Sequence, residues 1–124
     1  MKKIDANIVL RYMMNDHAEL STKSKEIIEQ NIVEVPIEVL CEVVYVLTGH
    51  YRIEKKNVCT EIKRFFELTQ CTLNNREVVF QGLEYFRKQN LDFVDCLLAA
   101  YSKIENDEII TFDENLKKLI KVSE

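Results

Sequence analysis

The sequence predicts an α/β domain with a short parallel central sheet flanked by helices. Short β-branched runs alternate along the chain with stretches of helical periodicity, the pattern of a layered fold built on a parallel sheet. Turn formers are scarce, with 2 Gly and 1 Pro among 124 residues. That composition argues against a β-sandwich, a collagen-like chain or a disordered linker. Apolar residues at 47% and charged residues at 31% are those of an ordinary globular protein. The length suits one domain spanning residues 1–124.

Each element has a local reason. Lys2–Ala6 reads as a strand that ends at Asp5. Asn7–Met14, with Asn7 as a candidate N-cap, reads as a helix carrying Ile8, Val9, Leu10, Tyr12 and Met13. Ser21–Gln30 is a polar surface helix with Ile27 and Ile28. Asn31–Val35 is a β-branched run, hence a strand. Pro36 suits the first turn of a helix over Ile37–Leu47, which is apolar nearly all round and therefore expected to be buried. Gly49 is a plausible stop. Glu54–Gln70 is amphipathic, with Val58, Ile62, Phe65, Phe66 and Leu68 opposite Lys55, Lys56, Lys63 and Arg64. Cys71–Leu73 is a third short strand and Asn75–Gln89 a helix. Asp92 caps a helix over Phe93–Ile104, Glu108–Thr111 forms a fourth strand, and Asp113–Ile120 is a last helix. The tail Lys121–Glu124 adds a strand or frays.

Charge and cysteines exclude some functions. The net charge of −4 is wrong for a generic polyanion binder, which needs clustered Lys and Arg. Cys41, Cys59, Cys71 and Cys96 contain no C-x-x-C pair and match no zinc template. Three of them, Cys41, Cys71 and Cys96, sit among apolar residues, as buried reduced thiols in a cytoplasmic protein would. No apolar run approaches a membrane span, and the N-terminus has no signal-like apolar stretch.

The chemistry-bearing candidates are acids. In open α/β sheets ligands gather at the carboxyl ends of strands. Asp5 ends the first strand, Asp113 follows the fourth, and Asp95 lies in the first turn of its helix. Glu42 sits inside the apolar helix Ile37–Leu47 with no basic residue within a turn. Each acid also has a structural reading. Asp5 could make an Asx turn, Asp113 an N-cap, Asp95 a partner for the helix dipole, and Glu42 a solvated helix edge. Taken together, carboxylates converging as bare anions would repel one another, and a hard divalent cation relieves that. Mg²⁺ or Mn²⁺ among carboxylates suits phosphoryl transfer or hydrolysis, where the metal activates a water and offsets developing phosphate charge.

Four segments carry a resemblance to a known family. They are Ile4-Asp5-Ala6-Asn7-Ile8-Val9-Leu10-Arg11-Tyr12, Pro36-Ile37-Glu38-Val39-Leu40-Cys41-Glu42-Val43-Val44-Tyr45-Val46-Leu47, Leu91-Asp92-Phe93-Val94-Asp95-Cys96-Leu97-Leu98-Ala99-Ala100, and Ile110-Thr111-Phe112-Asp113-Glu114-Asn115-Leu116. In order and spacing they resemble the PIN-domain ribonucleases, specifically the VapC-like toxins of type II toxin–antitoxin pairs. The resemblance implies a PIN-like α/β fold and metal-dependent cleavage of RNA phosphodiester bonds by a metal-activated water, leaving a 5′-phosphate and a 3′-hydroxyl. It implies that Asp5, Glu42, Asp95 and Asp113 form an acidic quartet around Mg²⁺ or Mn²⁺, with Asn7 and Thr111 orienting the carboxylates. It also implies a homodimer held inactive by a cognate antitoxin.

The chain departs from the family pattern in three places. Ala6 stands where the family more often has Thr or Ser, the chain is short after Leu119, and Asp92 is an additional acid that either assists the metal or caps the helix. Arg11, about one turn past Asn7, could reach a phosphate or a neighbouring acid. Arg52, Lys55, Lys56, Lys63, Arg64, Arg87 and Lys88 are candidates for attracting RNA. Tyr12, Tyr45, Tyr51 and Tyr85 are candidates for stacking on bases. Ile8, Met13, Met14, Val43 and Val46 could serve an antitoxin surface, with core the ordinary alternative. Two other functional classes remain open. One is a catalytically inactive PIN-like binding module. The other is a phosphoacceptor receiver-type domain, which the single acid after the first strand disfavours.

Overall fold

A computed structural model describes residues 1–123. The chain divides into two compact units, Met1–Asn74 and a second beginning at Asn75.

The first unit holds β1 (Lys2–Lys3), α1 (Ala6–Met14), α2 (Ala18–Gln30), β2 (Val33–Glu34), α3 (Ile37–Gly49) and α4 (Lys55–Leu68). β1 runs parallel to β2, with Lys2 opposite Val33 and Lys3 opposite Glu34. The parallel pairing extends past both strands. The Ile4 N–H donates to the Glu34 carbonyl at 3.2 Å, and Thr72 bridges Glu34 from the other side. Thr72 exchanges backbone hydrogen bonds with β2, donating to the Val33 carbonyl at 2.8 Å and accepting from the Val35 N–H at 2.9 Å. The expected parallel sheet is therefore present but shorter than the β-branched runs suggested. The third strand at Cys71–Leu73 is reduced to this one bridge.

Ile4, Val33 and Val35 are buried, as are Val9 and Leu10 of α1 and Leu40, Val43, Val44 and Leu47 of α3. α4 contributes Val58, Ile62, Phe65 and Phe66, whereas Leu68, expected on the same face, ends the helix exposed. Phe65 meets both Tyr12 and Phe66 edge-on, at 5.4 and 5.0 Å between ring centroids, a favoured aromatic geometry.

Three local expectations for this unit are corrected. α1 starts one residue earlier than expected, and its cap is Asp5, not Asn7. The Asp5 carboxylate accepts the Ile8 N–H at 3.1 Å. An acceptor at that position satisfies an orphan donor of the first turn, which Asn7, already inside the helix, cannot do. α2 begins at Ala18, where the His17 ring nitrogen accepts the Leu20 N–H at 3.1 Å. α3 is not apolar all round. Glu38, Glu42, Tyr45 and Gly49 form an exposed stripe at spacings of four, three and four, so the helix has one wet face.

The second unit is helical: α5 (Arg76–Lys88), α6 (Phe93–Glu105) and α7 (Glu114–Ser123). α5 and α6 pack closely at Gly82, where an added Cβ would lie 2.9 Å from Leu97 Cδ2. Phe86 and Phe93 meet edge-on at 5.7 Å. Leu116 and Leu119 bring the apolar side of α7 into this core. The predicted fourth strand, Glu108–Thr111, is absent. Asn106 ends α6 in the left-handed conformation, and the chain from there to Asp113 forms no ladder. β-propensity needs a neighbouring edge to act on, and this unit has no strand among the described residues. Ile110 and Phe112 stand 89% and 98% exposed in consequence. α7 runs on to Ser123 instead of ending at Ile120. Of the tail Lys121–Glu124, residue 124 lies outside the described residues. Cys59, Cys71 and Cys96 are buried and Cys41 is half-buried, so Cys59 takes the core place expected of Cys41. No described helix is long and apolar enough to cross a membrane.

Candidate functional site

The third and fourth acidic segments meet in the second unit. Asp92 caps α6, its carboxylate accepting the Asp95 N–H at 3.0 Å. Asp95 follows in the first turn, half-buried. Asp113 caps α7 in the same way, accepting the Leu116 N–H at 2.9 Å. Thr111 supports it from behind: its hydroxyl oxygen accepts the Asp113 N–H at 3.1 Å, fixing the turn that presents the carboxylate. Thr111 thus orients Asp113 through the backbone. Asp113 therefore serves as a helix cap and not as a strand end.

These acids interact. The Asp95 carboxyl is held above its ordinary 3.8, first by burial, then by the charge of Asp92, a hydrogen bond between the two carboxyls, and the charge of Asp113. Like charges around a partly desolvated acid favour its protonated form. Asp92 thus caps the helix, one of the two roles open to it, and is also an electrostatic neighbour of Asp95.

Asp5 and Glu42 belong to the first unit, on α1 and α3, two helices that pack together. Both are exposed. Glu42 stands on the wet face of α3, the solvated helix edge that was one of its two readings. Asn7 is exposed in the first turn of α1. Arg11 reaches a neighbouring acid. Its guanidinium donates to Asp16 at 3.0 Å, and Asp16 also accepts the Tyr51 hydroxyl at 2.8 Å. The Tyr51 hydrogen bond is the main reason the Asp16 carboxyl lies below its usual range. Asp16 was not anticipated; the signal lay in the polar turn Asn15-Asp16-His17 between two helices.

Among the described residues no three His, Cys, Asp or Glu side chains form a set that would hold a metal ion. The donor chemistry nonetheless suits a hard cation. Mg²⁺ characteristically takes only one or two carboxylates and completes its shell with waters and substrate phosphates. Asp95 and Asp113 offer carboxylate oxygens alone, and the repulsion on Asp95 is the kind a cation relieves.

Other expected contacts are redistributed. Tyr85 and Val43 are buried, so neither can stack on a base or serve a docking surface, whereas Tyr45 is 77% exposed. Arg87 and Lys88 are engaged by Glu84 at 2.6 and 3.1 Å. Beside the acids lies a cleft of about 360 Å³ that the sequence reading passed over. It is lined by Gln89, Asn90 and Leu91 from the α5–α6 turn and by Asn115, Lys118, Leu119 and Val122 from α7. The spacing i, i+3, i+4, i+7 of the α7 residues was its sequence signal, since it marks a single helix face.

Residues 3–122 match the PIN domain family, and the chain belongs to it. The helix-rich architecture around a short parallel sheet is that of this family's fold. A VapC ribonuclease of Aquifex aeolicus (strain VF5) is 23% identical over 129 residues, covering 96% of this chain and 92% of that protein. No solved structure matches the chain significantly.

Proposed function

We propose that this protein is a Mg²⁺- or Mn²⁺-dependent ribonuclease, the toxin component of a toxin–antitoxin pair, with Asp5, Glu42, Asp95 and Asp113 as its catalytic carboxylates. The observation that carries this reading is the gathering of Asp92, Asp95 and Asp113 at the starts of two neighbouring helices, where burial and the nearby charges push the Asp95 carboxyl up. Membership of the PIN domain family and likeness to a protein named as a VapC ribonuclease support it.

In this reading Asp5 and Asp95 would be the principal ligands of the cation, and Glu42 and Asp113 would hold a second ion or orient and deprotonate the water. The cation supplies Lewis-acid stabilisation of the charge that develops on the scissile phosphate. The chain's own groups do the rest. The Asp92 and Asp113 caps fix the first turns of α6 and α7, so the carboxylates are presented from rigid helix starts. Thr111 locks the turn before Asp113. A cognate antitoxin, a homodimeric state and a cytoplasmic location belong to the same proposal.

The test is RNA cleavage by antitoxin-free protein, wild type against Asp95→Asn, with Mg²⁺, Mn²⁺ or EDTA, alongside calorimetry of metal binding. Cleavage that needs metal and vanishes in Asp95→Asn is the expected result. Equal inactivity of both proteins on structured and total RNA, with no metal binding by either, would overturn it in favour of an inactive PIN-like binding module.

A further inference from the structure

The cleft beside the acids has a composition that selects its ligand. Leu91 and Leu119 give it a buried apolar floor. Gln89, Asn90 and Asn115 place three carboxamides around it, groups that both donate and accept hydrogen bonds. Lys118 adds a positive charge. Its neighbour Lys117 pairs with Glu114 at 3.3 Å, whereas Lys118 forms no ion pair among the described residues. A volume of about 360 Å³ falls in the range of small-ligand sites, roughly 300–1,000 Å³. An apolar floor, amide edges and one cation match the three parts of a nucleotide: a flat base with a π-face, a polar base edge and a phosphate.

The cleft is also joined to the acidic cluster through the chain itself. Leu91 directly precedes the α6 cap Asp92, and Asn115 lies two residues after the α7 cap Asp113. Successive Cα atoms are about 3.8 Å apart, so the backbone of two lining residues lies within about 8 Å of the Asp92 and Asp113 backbone.

We propose that this cleft is a nucleotide subsite that takes one unpaired base and its phosphate from single-stranded RNA, next to the bond to be cut. The proposal rests on the ribonuclease reading for its place in a reaction but not for the binding itself. The base lies over Leu91 and Leu119, its edge meets Asn90 and Asn115, and Lys118 meets the phosphate. A paired base cannot enter, because its edge is engaged and its faces are stacked. The subsite therefore selects loops and single strands over duplex.

The experiment is NMR titration of the ¹⁵N-labelled full chain with each of the four nucleoside 5′-monophosphates, a single-stranded hexaribonucleotide, and the same hexamer in a duplex. Saturable shifts are expected at the side-chain amides of Asn90 and Asn115 and along the backbone of residues 115–119, for nucleotides and the single strand but not the duplex. Lys118→Ala is expected to weaken the hexamer about tenfold, the size of one lost charge-assisted contact. Lys118→Arg should restore most of that, and Asn115→Ala should change the preference among the four bases. Each substitution is at an exposed position of α7, and the unliganded spectra verify the fold. Shifts confined to other surfaces, no loss in Lys118→Ala, or equal binding of duplex would overturn the subsite. RNA cleavage without cleft binding sinks the subsite alone. Cleft binding by a protein that never cleaves sinks the ribonuclease reading alone.

Discussion

Asp92 offers the sharpest test of the acidic cluster, because two substitutions separate its two roles. As the cap of α6 it accepts the Asp95 N–H at 3.0 Å, and as a charge it helps raise the Asp95 carboxyl. Asp92→Asn keeps a cap acceptor and removes the charge, since Asn and Asp cap about equally well. Asp92→Ala removes both. The two variants therefore differ by the cap alone, about 1 kcal/mol. For a chain of this length that is about 3–5 °C in melting temperature.

The charge effect has its own signature in pH. Asp95 is raised above 3.8 in the folded state, so wild-type stability falls as pH climbs through the interval between 3.8 and the raised value. Asp92→Asn narrows that interval and should gain on wild type above it. Asp92 is exposed, so the repulsion relieved is about 1 kcal/mol at most, against about 0.3–1 kcal/mol of lost helix-dipole interaction. The net gain at neutral pH is therefore about 0.7 kcal/mol at most. Circular-dichroism melts across pH measure the stabilities, and ¹³C-carboxyl NMR follows Asp95 directly. An Asp95 titration unmoved by Asp92→Asn would refute the coupling. Equal melting of the Asn and Ala variants would refute the cap.

Two further predictions concern packing and surface charge. Gly82→Ala gains about 1 kcal/mol of helix propensity but pushes a methyl to 2.9 Å from Leu97 Cδ2 in a buried contact, an overpacking cost of about 1–3 kcal/mol. It should destabilise by up to about 2 kcal/mol in wild type yet stabilise in a Leu97→Ala background, so a double-mutant cycle by urea melts decides the matter. The Glu84 carboxyl is lowered from 4.5 to about 2, chiefly by its hydrogen bond from Arg87 and then that from Lys88. Its stabilisation is present above 4.5 and lost as pH falls toward 2. As a surface network it is worth about 0–1 kcal/mol, so Glu84→Gln should flatten the acid limb slightly, and 1 M salt should shrink the difference.

Much of this protein was legible along the chain because it depends on neighbours in sequence. The helices over Lys55–Leu68, Arg76–Lys88 and Phe93–Glu105 follow the 3.6-residue spacing of Val58, Ile62, Phe65 and of Val78, Val79, Leu83, Phe86. The cap at Asp92 was legible too, because a cap and the N–H it satisfies lie within four residues. The four acidic segments and their order were enough to suggest the family.

Tertiary structure decided what depends on residues far apart. Whether Glu108–Thr111 becomes a strand depends on a partner edge, which its own β-branched residues cannot supply. Glu42 looked buried because its sequence neighbours are apolar, but packing directs Leu40, Val43, Val44 and Leu47 inward and leaves Glu38, Glu42 and Tyr45 to water. Arg11 found Asp16, and the Asp95 carboxyl was raised first by burial, then by Asp92 on its own helix and by Asp113 on another. Periodicity and capping are set within a turn or two of chain, whereas burial, strand pairing and electrostatic coupling are set by whatever the fold brings alongside.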